Sequence, residues 1–211
     1  MICVPLKKKT ISTLLSDLKK AQKIADIVEI WQEKNLAAAD LKKIFKIKKK
    51  PFIFKITTLF SLIAILSHNP EFVDLDLKTP LPIITKIKKQ FPKTQIILSH
   101  HDFEKTPSDK ELSRLIRTMQ KKHADIIKIA TFANDTTDSL RMLRLLSELS
   151  KQQRAILLSM GIHGRLTRTA GHLFGNYLMY APLSLREKTA DGQITAKDLK
   201  EIQTLIPKLC R

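Results

Sequence analysis

Ala124-Asp125-Ile126-Ile127-Lys128-Ile129-Ala130 is a short apolar run with a lysine near its centre. Isoleucine dominates it, and it reads as a strand buried on both faces, the pattern that a parallel sheet imposes. Lysine is almost never buried without a partner or a purpose. Burial disfavours the charged form, so the pKa of such an amine is expected to fall. A neutral amine is a nucleophile that attacks a ketone to form a Schiff base. The plainer alternative puts Lys128 on an edge strand, or lets its amine snorkel to water.

Outward from that run the chain alternates regularly. Residues 2–6 form a short apolar strand, and 11–24 carry apolar residues at helical spacing. Strand 26–31 is followed by helix 36–45, strand 51–56 by helix 59–66, and strand 72–77 by helix 81–91. After strand 94–100, Thr106-Pro107 reads as N-cap and N1 of the fifth helix. Strand 124–130 precedes helix 137–151, and strand 155–160 precedes a helix near 167–174. The last pair is strand 177–181 and a helix that starts at Thr195-Ala196-Lys197-Asp198 and ends near Leu209.

Those eight strand–helix pairs predict an α/β fold, a compact (β/α)8 TIM barrel spanning 1–211 as one domain. A doubly wound open sheet is the alternative. It is disfavoured because no Gly-rich turn follows the first strand. The barrel is smaller than the typical ~250 residues.

Composition sets the limits. The chain has 211 residues, 43% of them hydrophobic and 27% charged, which suits a globular protein with a proper core. No stretch approaches the ~18 uninterrupted apolar residues of a membrane span. No apolar h-region follows Lys7-Lys8-Lys9, so no signal peptide is read. Cys3 and Cys210 stand at opposite ends, without disulfide or metal-ligand spacing. A cytoplasmic setting is the simplest expectation. Thirty-eight Lys+Arg against 20 Asp+Glu give a net charge of +18. The basic runs, such as Lys48-Lys49-Lys50, are scattered near element ends without interleaved aromatics. No specific nucleic-acid face is therefore expected, although the positive field favours an anionic substrate.

In a barrel the chemistry sits at the C-terminal ends of the strands. There the fifth strand ends Ser99-His100-His101-Asp102-Phe103, the sixth carries Lys128, and the seventh ends Ser159-Met160-Gly161, with Gly164 and Arg168 beyond. Thr189-Ala190-Asp191-Gly192-Gln193-Ile194 follows the eighth. A lysine as electron sink, a histidine as acid and base, and an arginine as anion clamp make a set for Schiff-base chemistry with proton transfer.

These segments resemble the type I 3-dehydroquinate dehydratase family. The resemblance rests on Ser99-His100-His101-Asp102-Phe103-Glu104-Lys105-Thr106-Pro107, on Asp125-Ile126-Ile127-Lys128-Ile129-Ala130, on Ser159-Met160-Gly161 with Gly164, Thr167-Arg168 and Phe174-Gly175, and on Gly192-Gln193-Ile194. Their order and spacing agree from about Thr94 to Leu209, and the first ninety residues match loosely. The resemblance implies conversion of 3-dehydroquinate to 3-dehydroshikimate, with Lys128 forming an iminium and His101 moving the proton. It implies that Arg168 grips the substrate carboxylate, that Glu29, Lys55, Thr189 and Gln193 contact substrate, and that Met160 packs on its ring. No metal or organic cofactor is implied. A homodimer and fusion to a shikimate dehydrogenase domain are expectations from the same source. The chain's end after its eighth helix fits either a separate enzyme or the dehydratase part of such a fusion.

The chain departs from the family pattern at several points. Trp31 and Lys55 stand where the family has arginines, and Thr57-Thr58-Leu59 follows where it has a glutamate that orients the histidine. The third crossover is shorter than expected by about a dozen residues. Thr189 replaces a serine and Asp191 a proline. Trp31 reads as wall or core rather than a specific contact, and Glu29 as a partner for Lys55. His100, alternating with His101, points away from the mouth; His68, His123, His163 and His172 read as surface or helix-end residues. The competing functions are another Schiff-base lyase or aldolase on a barrel, and a decayed barrel that only binds anions.

Overall fold

The computed structural model describes residues 1–7, 10–32 and 36–209. Lys8, Lys9 and Cys210 lie outside the described residues. The strands are β1 (Ile2–Leu6), β2 (Ile27–Gln32), β3 (Phe52–Ile56), β4 (Phe72–Asp76), β5 (Gln95–Asp102), β6 (Ile126–Phe132), β7 (Ala155–Met160) and β8 (Met179–Tyr180). All pair in parallel, in the order β7-β6-β5-β4-β3-β2-β1-β8. Between them run α1 (Ile11–Ile24), α2 (Ala38–Lys46), α3 (Leu62–Leu66), α4 (Leu81–Gln90), α5 (Asp109–Lys121), α6 (Thr136–Leu149) and α7 (Arg165–Ala170), with α8 (Ala196–Leu209) last. This is the nearly closed barrel that the alternation predicts.

Closure between β7 and β8 is made by the chain just before β8. Tyr177 N donates to Ala155 O at 2.8 Å, and the Asn176 side chain bonds both the N–H and the C=O of Leu157. Met179 N and Ala181 N turn the other way, to Met1 O and Cys3 O of the β1 side. The sequence strand 177–181 thus feeds two neighbours alternately, and only its centre forms a regular ladder.

Side-chain alternation divides the core in two. One set, with Val28, Phe54, Leu98, Ile129 and Leu157, faces the helices and meets Leu18, Ile44, Met119 and Leu146. The other fills the barrel, with Ile27, Ile53, Phe72, Ile97, Ile126 and Ile156 among its members. Two residues further along β2, β3, β4, β5 and β6, the inward positions become Glu29, Lys55, Asp74, Ser99 and Lys128, all buried. The polar floor of the mouth rests on that apolar plug.

The fifth helix begins later than the Thr106-Pro107 reading. Ser108 is its N-cap: its hydroxyl accepts from Glu111 N, and the Glu111 carboxylate accepts from Ser108 N. This capping box satisfies two otherwise free donors, which a start at Thr106 would not. Thr106 instead donates to Phe132 O and pairs with the Thr131 hydroxyl, each at 2.9 Å, tying the β5 loop to the end of β6.

Candidate active site

The C-terminal ends of the strands surround a cavity of about 80 Å³. Glu29, His101, Lys128, Met160, Arg168, Thr189 and Gln193 all line it, as do Trp31, Phe103 and Tyr180. It shares Phe103, Met160, Thr189 and Ala190 with an outer cleft of about 340 Å³. Lys55 does not line it. That side chain lies behind the wall, with Nζ 2.7 Å from Asp74 Oδ1 and 2.6 Å from Ser99 Oγ. The expected Glu29–Lys55 pair is therefore replaced by Lys55–Asp74, because the parallel register sets Lys55 beside Asp74 on the adjacent strand.

Lys128 crosses the barrel. Its Nζ donates to Asp74 Oδ2 at 2.8 Å, to Glu29 Oε1 at 3.0 Å and to Tyr180 Oη at 3.0 Å. Burial pulls the lysine pKa down, but the charges and hydrogen bonds of Asp74 and Glu29 outweigh it and hold the amine above its ordinary value. The free protein therefore carries an ammonium here, which corrects the expectation of a neutral amine. An isolated buried lysine would lose its proton; this one faces two carboxylates. For Asp74, burial pushes the pKa up, and Lys128 and Lys55 more than reverse this, leaving it well below the carboxylate range.

Glu29 is held from both sides. Oε1 accepts from Lys128 and from Tyr180, and Oε2 accepts from Trp31 Nε1 at 2.7 Å. Trp31 is thus part of the cavity wall, as its sequence reading has it, and its indole also anchors Glu29. Its indole is the one donor that β2 can place two residues beyond Glu29 on the same face.

His101 sits on the opposite side of the mouth. Among the described residues its ring is held by stacking on Phe103, with centroids 5.9 Å apart and planes 11° apart, and by no side-chain hydrogen bond. Burial, and then the charges of Lys128 and Lys55, lower its pKa to about 3. The imidazole is neutral and able to take a proton.

Arg168 is brought in by α7. Thr167 Oγ1 accepts from Ser159 N at 2.8 Å and donates to Gly164 O, which locks the helix onto the end of β7. Arg168 is 4% exposed, and among the described residues its Nε and Nη2 have no hydrogen-bond partner. Burial lowers its pKa to about 10 against the opposing charge of Asp191, so it remains a cation at neutral pH. A buried cation with free donors is a costly group that an anion would relieve.

The loop over the mouth is organised by Gln193. Its Oε1 accepts from Thr189 N at 2.8 Å and Ala190 N at 3.2 Å. Gly161 N reaches Asp191 O, and Gly192, at φ +80, sits so close that a Cβ there would lie 2.3 Å from Gly161 O. Only glycine permits that seat. The reading from sequence missed Asp74, Tyr180 and Ser99. Asp74 carried a signal like that of Lys128, a charge at the centre of the apolar run Phe72-Val73-Asp74-Leu75.

The model of the family described as type I 3-dehydroquinase matches residues 2–209. The chain belongs to the type I 3-dehydroquinase family. It is 35% identical over 226 residues to the 3-dehydroquinate dehydratase of Methanococcus vannielii, covering 98% of this chain and 100% of that protein. It is 30% identical to the bifunctional 3-dehydroquinate dehydratase/shikimate dehydrogenase of Arabidopsis thaliana, over 96% of this chain and 36% of that protein. The crystal structure of 3-dehydroquinate dehydratase from Geobacillus kaustophilus superposes with a TM-score of 0.88, covering 100% of this chain and 92% of that one. At 22% identity that likeness speaks for the fold. Type I dehydroquinases are hydro-lyases that work through a lysine Schiff base. Among the described residues no helix is long and apolar enough to cross a membrane.

Proposed function

We propose that this type I dehydroquinase converts 3-dehydroquinate to 3-dehydroshikimate and water, with residues 1–211 acting as one barrel unit. The observation that carries the residue assignment is the convergence of the Lys128 amine, the His101 imidazole and the Arg168 guanidinium on one buried cavity.

Lys128 attacks the substrate ketone, and loss of water gives an iminium. The positive nitrogen withdraws electrons and acidifies the adjacent C–H. His101, neutral in the free protein, removes that proton and then delivers it to the departing hydroxyl, which leaves as water. Arg168 holds the carboxylate through its free Nε and Nη2 donors. Met160 packs on the ring, while Thr189 and Gln193 close the loop over it. Glu29 meets a substrate hydroxyl, and Lys55 acts from behind by holding Asp74. The iminium is the electron sink, so neither a metal nor an organic cofactor takes part in this scheme. The partner is a small-molecule substrate, with no specific nucleic acid and no membrane in the scheme. A homodimer, linkage to a shikimate dehydrogenase domain and a cytoplasmic setting belong to the same reading.

Borohydride reduction in the presence of 3-dehydroquinate tests it. The expected result is substrate mass attached to Lys128, lost in Lys128→Ala. Trapping of other keto acids with none of dehydroquinate would favour a different lyase or aldolase. Absence of any adduct would refute the scheme.

A further inference from the structure

Lys128 begins as an ammonium, and a Schiff base needs an amine, so a proton must leave Nζ inside a buried site. The contacts of that nitrogen are Asp74 Oδ2, Glu29 Oε1 and Tyr180 Oη. Asp74 is a poor acceptor. Its other oxygen takes a hydrogen bond from Lys55, and the two cations hold its pKa far down. Glu29 is the remaining carboxylate. Tyr180 Oη, which accepts from Lys128, also donates to Glu29 Oε1 at 2.9 Å. Its ring lies against the same ammonium, with Nζ 4.1 Å from the centroid.

Resting on the Schiff-base reading above, we infer that Tyr180 is a further catalytic residue, relaying the Lys128 proton to Glu29 as the imine forms. A nitrogen that turns toward a carbonyl in the cavity leaves behind Asp74, which does not line that cavity. The phenol lines that cavity and keeps the nitrogen connected to Glu29.

The protons balance. Nζ gives one proton to Tyr180 Oη while the phenolic proton passes to Glu29 Oε1, leaving an amine, a neutral phenol and a carboxylic acid. The nitrogen lone pair then forms the N–C bond, and the C=O π pair moves onto oxygen. The C–O bond breaks once that oxygen holds two protons: the one stored on Glu29, returned through the phenol, and one from nitrogen. Water leaves, the iminium keeps a single N–H, and Glu29 is again a carboxylate.

The surroundings suit a relay rather than a free phenolate. Tyr180 faces Cys3 from β1, Glu29 from β2, Asp74 from β4 and Lys128 from β6, with Lys55 of β3 and His101 of β5 acting on the same cluster. Burial, and then Glu29, Cys3 and Asp74, push the phenol pKa well above its ordinary value. It hands on a proton only while receiving one.

Tyr180→Phe keeps the ring and removes the hydroxyl. With 3-dehydroquinate and rapid borohydride quenching, imine formation at neutral pH should slow by roughly 10²-fold. The rate should recover as pH rises and solvent base takes the proton. The solvent deuterium isotope effect on imine formation, which reflects several protons in flight in the native protein, should fall to that of one. A native rate and isotope effect in Tyr180→Phe would overturn the inference. So would a loss equal at every pH with the isotope effect unchanged, the mark of a structural role. As a second variant, 3-fluorotyrosine at position 180 keeps both hydrogen bonds and acidifies the phenol. It should change the rate of imine formation at neutral pH while both hydrogen bonds remain, and an unchanged rate counts against the relay. No adduct in the native protein sinks the parent reading as well, whereas a native adduct with unaffected Tyr180 variants sinks only the relay.

Discussion

Lys128 Nζ lies 2.8 Å from Asp74 Oδ2, and the other oxygen of the same carboxylate serves Lys55 at 2.7 Å. One fully buried aspartate thus holds two lysines. Asp74→Asn removes that charge and leaves both ammoniums short of a partner. Stability should fall by about 3–5 kcal/mol, the usual consequence of breaking a buried pair on one side. Denaturant unfolding measures it. Because Asp74 raises the Lys128 pKa, the variant should also form its imine at lower pH than the native protein. A change below about 1 kcal/mol would show that the cluster is not held by Asp74.

The same cluster sets a pH window for stability. Asp74 titrates below its ordinary 3.8 in the fold, so its contribution is complete above that pH and is lost as pH falls. Lys128 is raised above 10.5, so its contribution is complete below that pH and is lost as pH rises through the folded value. His101 adds a loss on the acid side. Its pKa near 3 lies below the ordinary 6.5, so the unfolded chain takes a proton first, and stability erodes as pH drops from 6.5 toward 3. Urea unfolding from pH 3 to 11 should give a plateau between about 6.5 and 10.

His101 also bears on the rate. Since the imidazole stays neutral down to about pH 3, the acid limb of kcat/KM should not have its midpoint at 6.5. A midpoint there would show an ordinary, solvated histidine. His101→Ala should still trap substrate on Lys128 while dehydration drops by roughly 10²–10⁴-fold, the range for a lost acid–base group. Retained turnover removes His101 from the scheme.

Arg168 offers a separation of stability from binding. Its guanidinium is buried with Nε and Nη2 unpartnered among the described residues, so it costs the free protein stability. Arg168→Met should leave the melting temperature equal or higher. The KM for 3-dehydroquinate should rise by roughly 10- to 100-fold, for charged hydrogen bonds of about 1.5–3 kcal/mol. Calorimetry and steady-state kinetics read the two effects independently. An unchanged KM would show that the carboxylate binds elsewhere.

The barrel was legible because its signals are local. Short apolar strands, β1 to β7 of five to eight residues and β8 of two, alternating with helices of helical spacing, leave few topologies open. The start of α5 was misread because Thr106-Pro107 and Ser108 with Glu111 both look like helix starts. Which one wins depends on where Thr106 finds its partners, on β6, far away in sequence.

Lys128 could be named beforehand because it stands out against its own segment, a lysine inside an apolar strand; the resemblance to the family selected His101 over the adjacent His100, and raised Arg168 above an ordinary solvated helix residue. The pairings within the site could not be named beforehand. Glu29 and Lys128 are 99 residues apart, and Glu29 and Tyr180 are 151 apart. The charge on the Lys128 amine illustrates the limit. Burial alone, read from the strand, predicts a neutral nitrogen. Only the closed barrel brings Asp74 and Glu29 within hydrogen-bond distance, and Coulomb attraction at that range outweighs desolvation. Local pattern determined the elements and the kinds of chemical group at their ends; strand register and barrel closure decided which groups meet, and so which of them are charged.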